Sequence, residues 1–178
     1  MQEKRRMELS EEDIKGVLDG ALQCRRDVIL ISYRLLCNAP NGFNGLYYTI
    51  LIKYSLKNNE EKEEELSCFA KSVPPNEQHV AYIKGTRLLH KEHEFFHKIL
   101  PTFRKFVNFE LPVPECYFLR FDEEDFARNV VVMQDLARQG FVTRDAKVGM
   151  GYKECSLVIQ ALARLHAASL ITSQKGVN

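Results

Sequence analysis

The chain has 178 residues, of which 45% are hydrophobic and 28% charged, a composition typical of a globular domain with a substantial core. Its 25 basic and 24 acidic residues give a net charge of +1, which argues against a surface built mainly for nucleic-acid phosphates or anionic lipid. We expect no secretory signal and no membrane span, since no apolar run approaches about 18 residues. Five scattered cysteines without a C-x-x-C pair favour reduced, mostly buried thiols in a cytoplasmic protein.

The N-terminal third of the sequence predicts a helix followed by two strands. Ser10 precedes three acidic residues and is typical of a helix N-cap, so the pattern predicts a helix over residues 10–25. Residues 28–36 and 46–56 are rich in β-branched and aromatic side chains, which favours strands. The intervening 38–45 segment (NAPNGFNG) is a turn cluster.

A third strand and a long helix come next. The acidic run 57–65 predicts a solvated hairpin tip, and the apolar segment 66–73 predicts the strand that follows it. Residues 78–100 have helical periodicity, which we expect to end at Pro101.

Two more strands and a last helix complete the pattern. The strands are predicted at 116–121 and 129–133, joined by an acidic turn, and the helix at 152–170. Because consecutive strands with short connections favour antiparallel pairing, the predicted class is α+β.

One carboxylate lies on the apolar face of the predicted 78–100 helix. At about 100° per residue, Glu92 is the centre of a stripe of apolar residues. The stripe consists of Leu88, Leu89, Phe95, Phe96 and Ile99. An ionised carboxylate there is costly unless a cation meets it, and Lys71 in the apolar strand 66–73 is the expected cation. In phosphotransfer folds such a pair holds the lysine against nucleotide phosphates, whereas an outward-facing strand lysine is the alternative.

A metal motif occurs on the other side of the same helix. The segment from His93 through Glu94 to His97 matches H-E-x-x-H, which can bind zinc and a water nucleophile. These residues and His90 fall about 100° or more from the apolar stripe. A catalytic zinc helix would turn its ligands inward, so a solvated histidine-rich face is favoured, and a zinc hydrolase is the remote alternative.

Six segments occur in an order and spacing typical of one family. They are NGFNGLYYTILIKY, FAKSVP, HKEHEFFHKILPTF, VPECYF, VVVMQDLARQGF and LARLHAAS. In this order they resemble the ecdysteroid kinase-like family, also described as carrying a CHK kinase-like domain and related to choline kinases and aminoglycoside phosphotransferases. The resemblance covers about residues 10–172. It implies a protein-kinase-like N-terminal lobe with about five antiparallel strands and an αC-type helix, flanked by an N-terminal helix and the first helix of a second lobe.

The resemblance also implies a nucleotide site. Gly42 and Gly45 match the loop over the nucleotide phosphates, although two glycines also suit an ordinary hairpin turn. Lys71 matches the phosphate-binding lysine and Glu92 its helix partner.

The same resemblance places the hinge that meets the adenine edge at Val132, Met133, Gln134 and Leu136. The family usually has glutamate where this chain has Gln134, a change we expect to be tolerated because adenine is read by main-chain groups. Asp135 matches a family aspartate that we interpret as structuring the hinge. The implied cofactors are ATP and Mg²⁺.

The family's catalytic motifs, H-G-D-x-W-x-x-N and D-F-Q, are absent from the sequence. We therefore expect a truncated protein with a flexible N-terminus (1–9), a kinase-like lobe (10–136), and a hinge exit with the first helix of a second lobe (137–178). His166 is predicted to be a core histidine. Much of the last helix's apolar stripe is expected to lack cover and to be available for self-association.

Three functions remain open at this point. The first is the ATP-binding lobe of a small-molecule kinase, inactive alone, whose complete form would phosphorylate a hydroxyl of a small lipophilic acceptor such as a steroid. The second is a non-catalytic binding or regulatory module. The third is the zinc hydrolase. The expected partner is a nucleotide, and no nucleic acid is expected.

Overall fold

A computed structural model describes residues 7–23, 27–38, 45–57, 59–74, 76–145 and 147–175. The chain divides into two compact units. The first comprises Met1–His93 and Pro114–Gln139, and the second comprises Glu94–Val113 and Gly140–Asn178.

The first unit is a five-stranded sheet with helices. Its elements in chain order are α1 (Glu11–Ala21), β1 (Val28–Cys37), β2 (Leu46–Leu56), β3 (Asn59–Ser72), α2 (Glu77–Gly85), α3 (Leu88–Glu94), β4 (Cys116–Arg120) and β5 (Val130–Gln134). The strand order is β1-β2-β3-β5-β4, and every neighbouring pair is antiparallel. The predicted α+β class with a five-stranded antiparallel sheet is confirmed.

The acidic run is part of a strand, which corrects the expectation of a hairpin tip over 57–65, although residues 61–63 and 65 are exposed as expected. β3 begins at Asn59 and pairs with β2 along the run. The Tyr54 hydroxyl donates to Glu64 at 2.8 Å, and Lys53 Nζ lies 3.7 Å from a Glu63 carboxylate oxygen. These neighbours on β2 give the acidic side chains partners that one-dimensional hydropathy does not reveal.

The main core lies between α1 and one face of the sheet. Ile14, Val17 and Leu18 form the buried stripe of α1. The buried strand residues in the same cluster are Tyr48, Ile50, Ile52, Tyr54, Cys68, Ala70, Val130 and Val132. On β3 the inward positions alternate, so Lys71 and Phe69 point to the opposite face.

Polar contacts and close packing fix α1 against β4. The Ser10 side chain caps the helix by accepting from the Asp13 N–H, which confirms the predicted N-cap. The Asp13 carboxylate in turn accepts from the Ser10 N–H and from Arg120 Nη1, the latter with both oxygens at 2.8 Å. A Cβ added to Gly20 would overlap the Tyr117 carbonyl oxygen, so the helix backbone packs directly on β4.

The helical region after α2 continues beyond Pro101, which corrects the expected end. α3 is followed by a π-helical segment, Phe95–Ile99, and then by α4, Leu100–Phe106. In the π segment the Leu100 N–H donates to the Phe95 carbonyl, five residues back. Pro101 follows directly after the π segment, whose wider turn changes the hydrogen-bond ladder where the proline lacks an N–H, so the helix proceeds.

The second unit contains the π segment, α4 and the long helix α5, Tyr152–Gln174. Leu100, Leu111 and Ala168 form its buried cluster, with phenylalanines packed around them. Thr172 is also buried on α5.

The buried face of α5 differs from the predicted one. His166 is exposed, so its prediction as a core histidine is wrong. Several large apolar side chains of α5 are exposed, which confirms that much of its apolar stripe lacks cover. They are Leu157, Val158, Ile159, Leu162 and Leu170.

Within the described part of the chain, α5 is the one helix long enough and apolar enough to cross a membrane by length and composition. A single helix of this kind is weak evidence for a span, so the expectation of no membrane span stays a prediction.

The four described cysteines are free thiols. Cys68 is buried, Cys116 and Cys155 are half-buried and Cys37 is exposed, so the expectation of mostly buried thiols is too strong. Burial raises the pKa of Cys68 to about 12, with a further contribution from the nearby Asp135 carboxylate. Burial likewise raises the pKa of Cys116 to about 11. Both are therefore neutral thiols at physiological pH.

Candidate functional site

The predicted ion pair is present in the first unit. Lys71 Nζ lies 2.7 Å from Glu92 Oε2, and each side chain retains 21% of its exposure. Lys71 projects from β3 on the face opposite the α1 core, while Glu92 projects from α3. The pair is thus shielded from bulk water on most sides but still reachable by a ligand.

A small apolar cluster holds α3 beside the sheet. Leu89 is buried with Val73, which follows β3, and Ile83 of α2. Phe121 packs against the same cluster. This packing fixes the position of Glu92 relative to β3, so the ion pair forms without a long flexible reach.

The histidines of α3 are not on a fully solvated face, which corrects that expectation in part. His90 and His93 are half-buried, and their rings contact Phe121 at centroid distances of 5.6 and 5.0 Å. Glu94 and His97 are exposed as expected. The apolar ring of Phe121 covers the two imidazoles. The helical periodicity placed both histidines on the polar side of the helix, but it could not show that Phe121 packs there.

The zinc motif does not form a metal centre in the described residues. No group of three or more histidine, cysteine, aspartate or glutamate side chains in that part of the chain could hold a metal ion. The motif is also split between two helix types, since His93 belongs to α3 and His97 to the π segment. The i,i+4 geometry that places two histidines on one metal requires a continuous α-helix.

Gly45 lies directly beside the lysine. A Cβ added there would be 3.1 Å from the Ser72 carbonyl oxygen, and 3.2 and 3.4 Å from Lys71 Cγ and Cε. Such distances are tighter than ordinary van der Waals contact, so the absence of a side chain leaves room for the lysine stem. The structure therefore brings Gly45, Lys71 and Glu92 together. Gly42 lies outside the described residues.

Aromatic residues that sequence reasoning missed share the face of Lys71. Tyr47 is the β2 residue directly opposite Lys71, and Phe69 precedes it by two positions on β3. Their rings stack with centroids 5.7 Å apart and planes inclined by 24°. The period-two alternation of β3 could have identified Phe69, whereas Tyr47 required the register between β2 and β3.

The predicted hinge residues differ in the burial of their side chains and in their main-chain hydrogen bonds. Val132 is fully buried in the α1 core, so its side chain points away from Lys71. Met133 is half-buried and lies opposite Phe69. The Gln134 N–H donates to the Glu115 carbonyl at 2.8 Å and is therefore occupied. Leu136 begins a short 3₁₀ turn, Leu136–Gln139.

Asp135 organises this turn. Its carboxylate accepts a 2.6 Å hydrogen bond from the Ser67 hydroxyl and another from the Ala137 N–H, while the Arg138 N–H donates to its carbonyl. The bond to Ser67 joins the end of β5 to β3. These contacts agree with the interpretation of Asp135 as a structural residue of the hinge.

The residues present suit a nucleotide better than they suit an independent magnesium site. The backbone of Gly45 packs beside a cation, and an apolar face flanks them, which is the chemistry that a phosphate attached to a base requires. Magnesium prefers carboxylate and phosphate oxygens, and the described residues gather no such ligand set by themselves.

A five-stranded antiparallel sheet with a strand lysine paired to a helix glutamate defines a protein-kinase-like N-terminal lobe. The family comparison gives the narrower assignment: the ecdysteroid kinase-like family model matches residues 41–177. Because the match spans most of the sequence, the chain belongs to this family. Neither the curated proteins nor the solved structures provide a match.

Proposed function

We propose that this chain is a nucleotide-binding lobe whose Lys71 binds the phosphates of ATP. The observation that carries the proposal is the 2.7 Å Lys71–Glu92 ion pair, whose side chains stay partly exposed, with the backbone of Gly45 packed against the lysine stem. Family membership supports it, since small-molecule kinases of this type use ATP with Mg²⁺.

Glu92 keeps the lysine oriented. In a site of reduced dielectric an ion pair is stronger than in water, so the carboxylate limits the directions that the ammonium group can take. A phosphate approaching from the open side can share the ammonium's remaining donors, because an ammonium group has three N–H bonds. The hinge around Met133 and Gln134 would then meet the base through main-chain groups.

For the complete kinase site, the proposed reaction is transfer of the ATP γ-phosphoryl group to a hydroxyl of a small lipophilic acceptor. Such transfer depends on a base for the acceptor proton and on carboxylates that hold Mg²⁺ between the phosphates. The motifs that supply these groups do not occur in the 178 residues. We therefore expect these residues to bind nucleotide without measurable turnover.

The test is calorimetric titration of Mg·ATP into the wild-type chain and into Lys71→Met. Loss of the ammonium should raise Kd by about tenfold or more, as for other charge-assisted contacts to phosphate. Lys91→Met is the matched control, since Lys91 is an exposed lysine of the same helix as Glu92. The control should stay within about twofold of wild type. Equal affinity of Lys71→Met and wild type would overturn the assignment of Lys71.

The absent catalytic motifs favour a second candidate, a non-catalytic module that binds nucleotide as a ligand. A turnover assay with isotopically labelled ATP distinguishes binding from reaction. Phosphoryl transfer or hydrolysis by the purified chain, abolished in Lys71→Met, would show that the expectation of no turnover is wrong.

A further inference from the structure

We infer that the outer edge of β1 binds an extended segment of a partner protein, one that carries an acidic residue between apolar ones. The bound segment adds a sixth strand to the sheet next to β1. The inference concerns a surface that the proposed nucleotide site does not use, so the two stand or fall separately.

The two outer strands of the sheet differ in length and in cover. β4 has five residues, Cys116–Arg120, and α1 packs directly on its backbone at Tyr117. β1 has ten residues, Val28–Cys37, and among the described residues its ladder partners all belong to β2. A strand with one unpaired side presents a row of N–H and C=O groups that can pair with a further strand. Within the described part of the chain, β1 is therefore the longer and more open edge.

The hydrogen bonds at the end of β1 show which of its main-chain groups face outward. The Asn38 N–H donates to the Tyr47 carbonyl at 2.9 Å, so Asn38 lies in a hydrogen-bonded pair with β2. Because such pairs alternate along an antiparallel ladder, Arg34 also bonds to β2, whereas Tyr33 and Leu35 direct their N–H and C=O groups away from the sheet. No described loop bonds to the main chain of these two residues. Their outward groups are available to a docked strand.

The side chains along this stretch define what the docked strand carries. Arg34 is exposed, and Leu36 is 44% exposed two positions further along the same face of β1. Ile31, at the irregularity where the regular ladder ends, is also 44% exposed. The ion pairs of the described residues do not include Arg34. A strand with an acidic side chain opposite Arg34 and apolar side chains on either side matches both the charge and the apolar surface.

Arg34 also decides between two occupants of this edge. Two copies of the chain paired edge to edge about a twofold axis would present the same residues to each other. In any register centred on the regular stretch 32–37, the two Arg34 side chains would lie close together on one face of the joined sheets. Like charges in neighbouring positions of a ladder are destabilising, whereas an acidic side chain gains an ion pair there. The charge therefore favours an acidic partner segment over a second copy.

The probe is a synthetic peptide, acetyl-TVTETVT-amide, whose valines and glutamate lie on one face of an extended strand. Fluorescence anisotropy of the labelled peptide measures its Kd for the purified chain, at a protein concentration where sedimentation shows a monomer. One control peptide has lysine in place of the glutamate. The other is N-methylated at the two threonines that flank the glutamate, which removes the N–H groups that would donate to β1.

We expect wild type to bind the glutamate peptide about tenfold more tightly than the N-methylated peptide, because two hydrogen bonds are lost. It should also prefer the glutamate peptide to the lysine peptide several-fold, and Arg34→Glu should reverse that preference. Lys15→Glu makes the same charge change at an exposed position of α1 and is the matched control, which should stay within about twofold of wild type. Thermal unfolding of each variant verifies that it is folded.

Amide hydrogen exchange measured by NMR tests the geometry of binding. Peptide should slow the exchange of the Tyr33 and Leu35 N–H groups and change that of Arg34 little, since the Arg34 N–H already bonds to β2.

Equal affinity of the plain and N-methylated peptides, or unchanged exchange at Tyr33 and Leu35, would overturn the inference. No binding of the glutamate peptide to wild type would overturn it as well. Slow exchange at these two residues that appears without peptide and increases with protein concentration would show a second copy at the edge, which also contradicts the inference.

Discussion

At the scale of single residues, two ion pairs in the first unit have different roles. The Asp13 carboxylate accepts hydrogen bonds from the Ser10 N–H, the Ser10 hydroxyl and Arg120, so its oxygens are fully engaged within the fold. Arg120 also donates to the carbonyls of Arg128 and Glu8. Among the described residues, the Lys71–Glu92 pair is instead joined by one hydrogen bond, from Lys71 Nζ to Glu92 Oε2. The first pair is structural, and the second can share its cation with a ligand.

Asp13 makes stability depend on pH in the acidic range. Burial opposes its ionisation, but the hydrogen bonds from Ser10 and Arg120 outweigh burial and lower the pKa of Asp13 below 3.8. A lowered pKa in the folded state means that the stabilisation is complete above about pH 4, the pKa of an unfolded aspartate, and is lost as pH falls through the folded pKa. Asp13→Asn should therefore cost about 3 kcal/mol at pH 7, because it leaves Arg120 without its anion.

Urea unfolding of wild type and Asp13→Asn between pH 7 and pH 3 checks this prediction. The difference in unfolding free energy should be constant near neutrality and shrink below about pH 4. A constant difference across the whole range would contradict it. Glu12→Gln, at an exposed position of the same helical turn, is the matched control and should change little.

Sequence reasoning identified one of these pairs and missed the other for a physical reason. Glu92 lies on an apolar stripe, and the cost of burying its charge demands a cation, which makes Lys71 predictable. Asp13 lies among other acids in a first helical turn, where a carboxylate is favourable without any partner. Its contact with Arg120 therefore required the three-dimensional packing of α1 on β4.

At the scale of elements, the π segment changes which residues of the helix face inward. A uniform α-helix from residue 88 would place Ile99 on the same stripe as Glu92. With the five-residue hydrogen bond from Leu100 to Phe95, Ile99 is instead 38% exposed and Leu100 is 2% exposed. The extra residue in the π turn rotates the following residues about the helix axis. This moves the apolar stripe by one position along the sequence.

This shift predicts unequal effects of two neighbouring truncations. Leu100→Ala should reduce the unfolding free energy by about 3 kcal/mol, since it leaves a cavity in the cluster with Leu111 and Ala168. Ile99→Ala should cost less than about 1 kcal/mol because its side chain already contacts water. Chemical unfolding of the two variants measures both values, and a larger loss for Ile99→Ala would show that the helix is uniformly α-helical.

Whether a strand could be predicted from the sequence depended on its amino-acid composition. β2 was predicted with its observed bounds because its β-branched and aromatic residues favour no other structure. The first half of β3 was missed because glutamates disfavour strands in isolation, whereas here they pair with residues of β2. The π segment was missed because nothing in a hydropathy pattern distinguishes it from an α-helix.

At the scale of the whole molecule, α5 presents an apolar surface to solvent. Ile159 is 64% exposed, Leu162 is 50% exposed and Leu170 is 66% exposed. Exposed apolar surface of this extent drives association, because covering it releases water from nonpolar groups. We expect the purified chain to self-associate through α5.

Sedimentation velocity over a concentration series measures this association. Wild type should sediment faster as concentration rises, and Ile159→Glu and Leu162→Glu should each suppress the change. Gln160→Glu, which adds the same charge at an exposed polar position of the same helix, should suppress it less. A wild-type chain that stays monomeric throughout the series would contradict the expectation.

The contact between α1 and β4 has a consequence for the order of folding. Asp13 and Arg120 are 107 positions apart in the chain, so the first helix meets its partner strand only after most of the chain has been synthesised. Until then its apolar stripe of Ile14, Val17 and Leu18 has no β4 to pack against. Contacts of such long sequence separation slow folding, because a long loop must close before they form. During synthesis, α1 can therefore pack against β2 and β3 first, and its contacts with β4 form last.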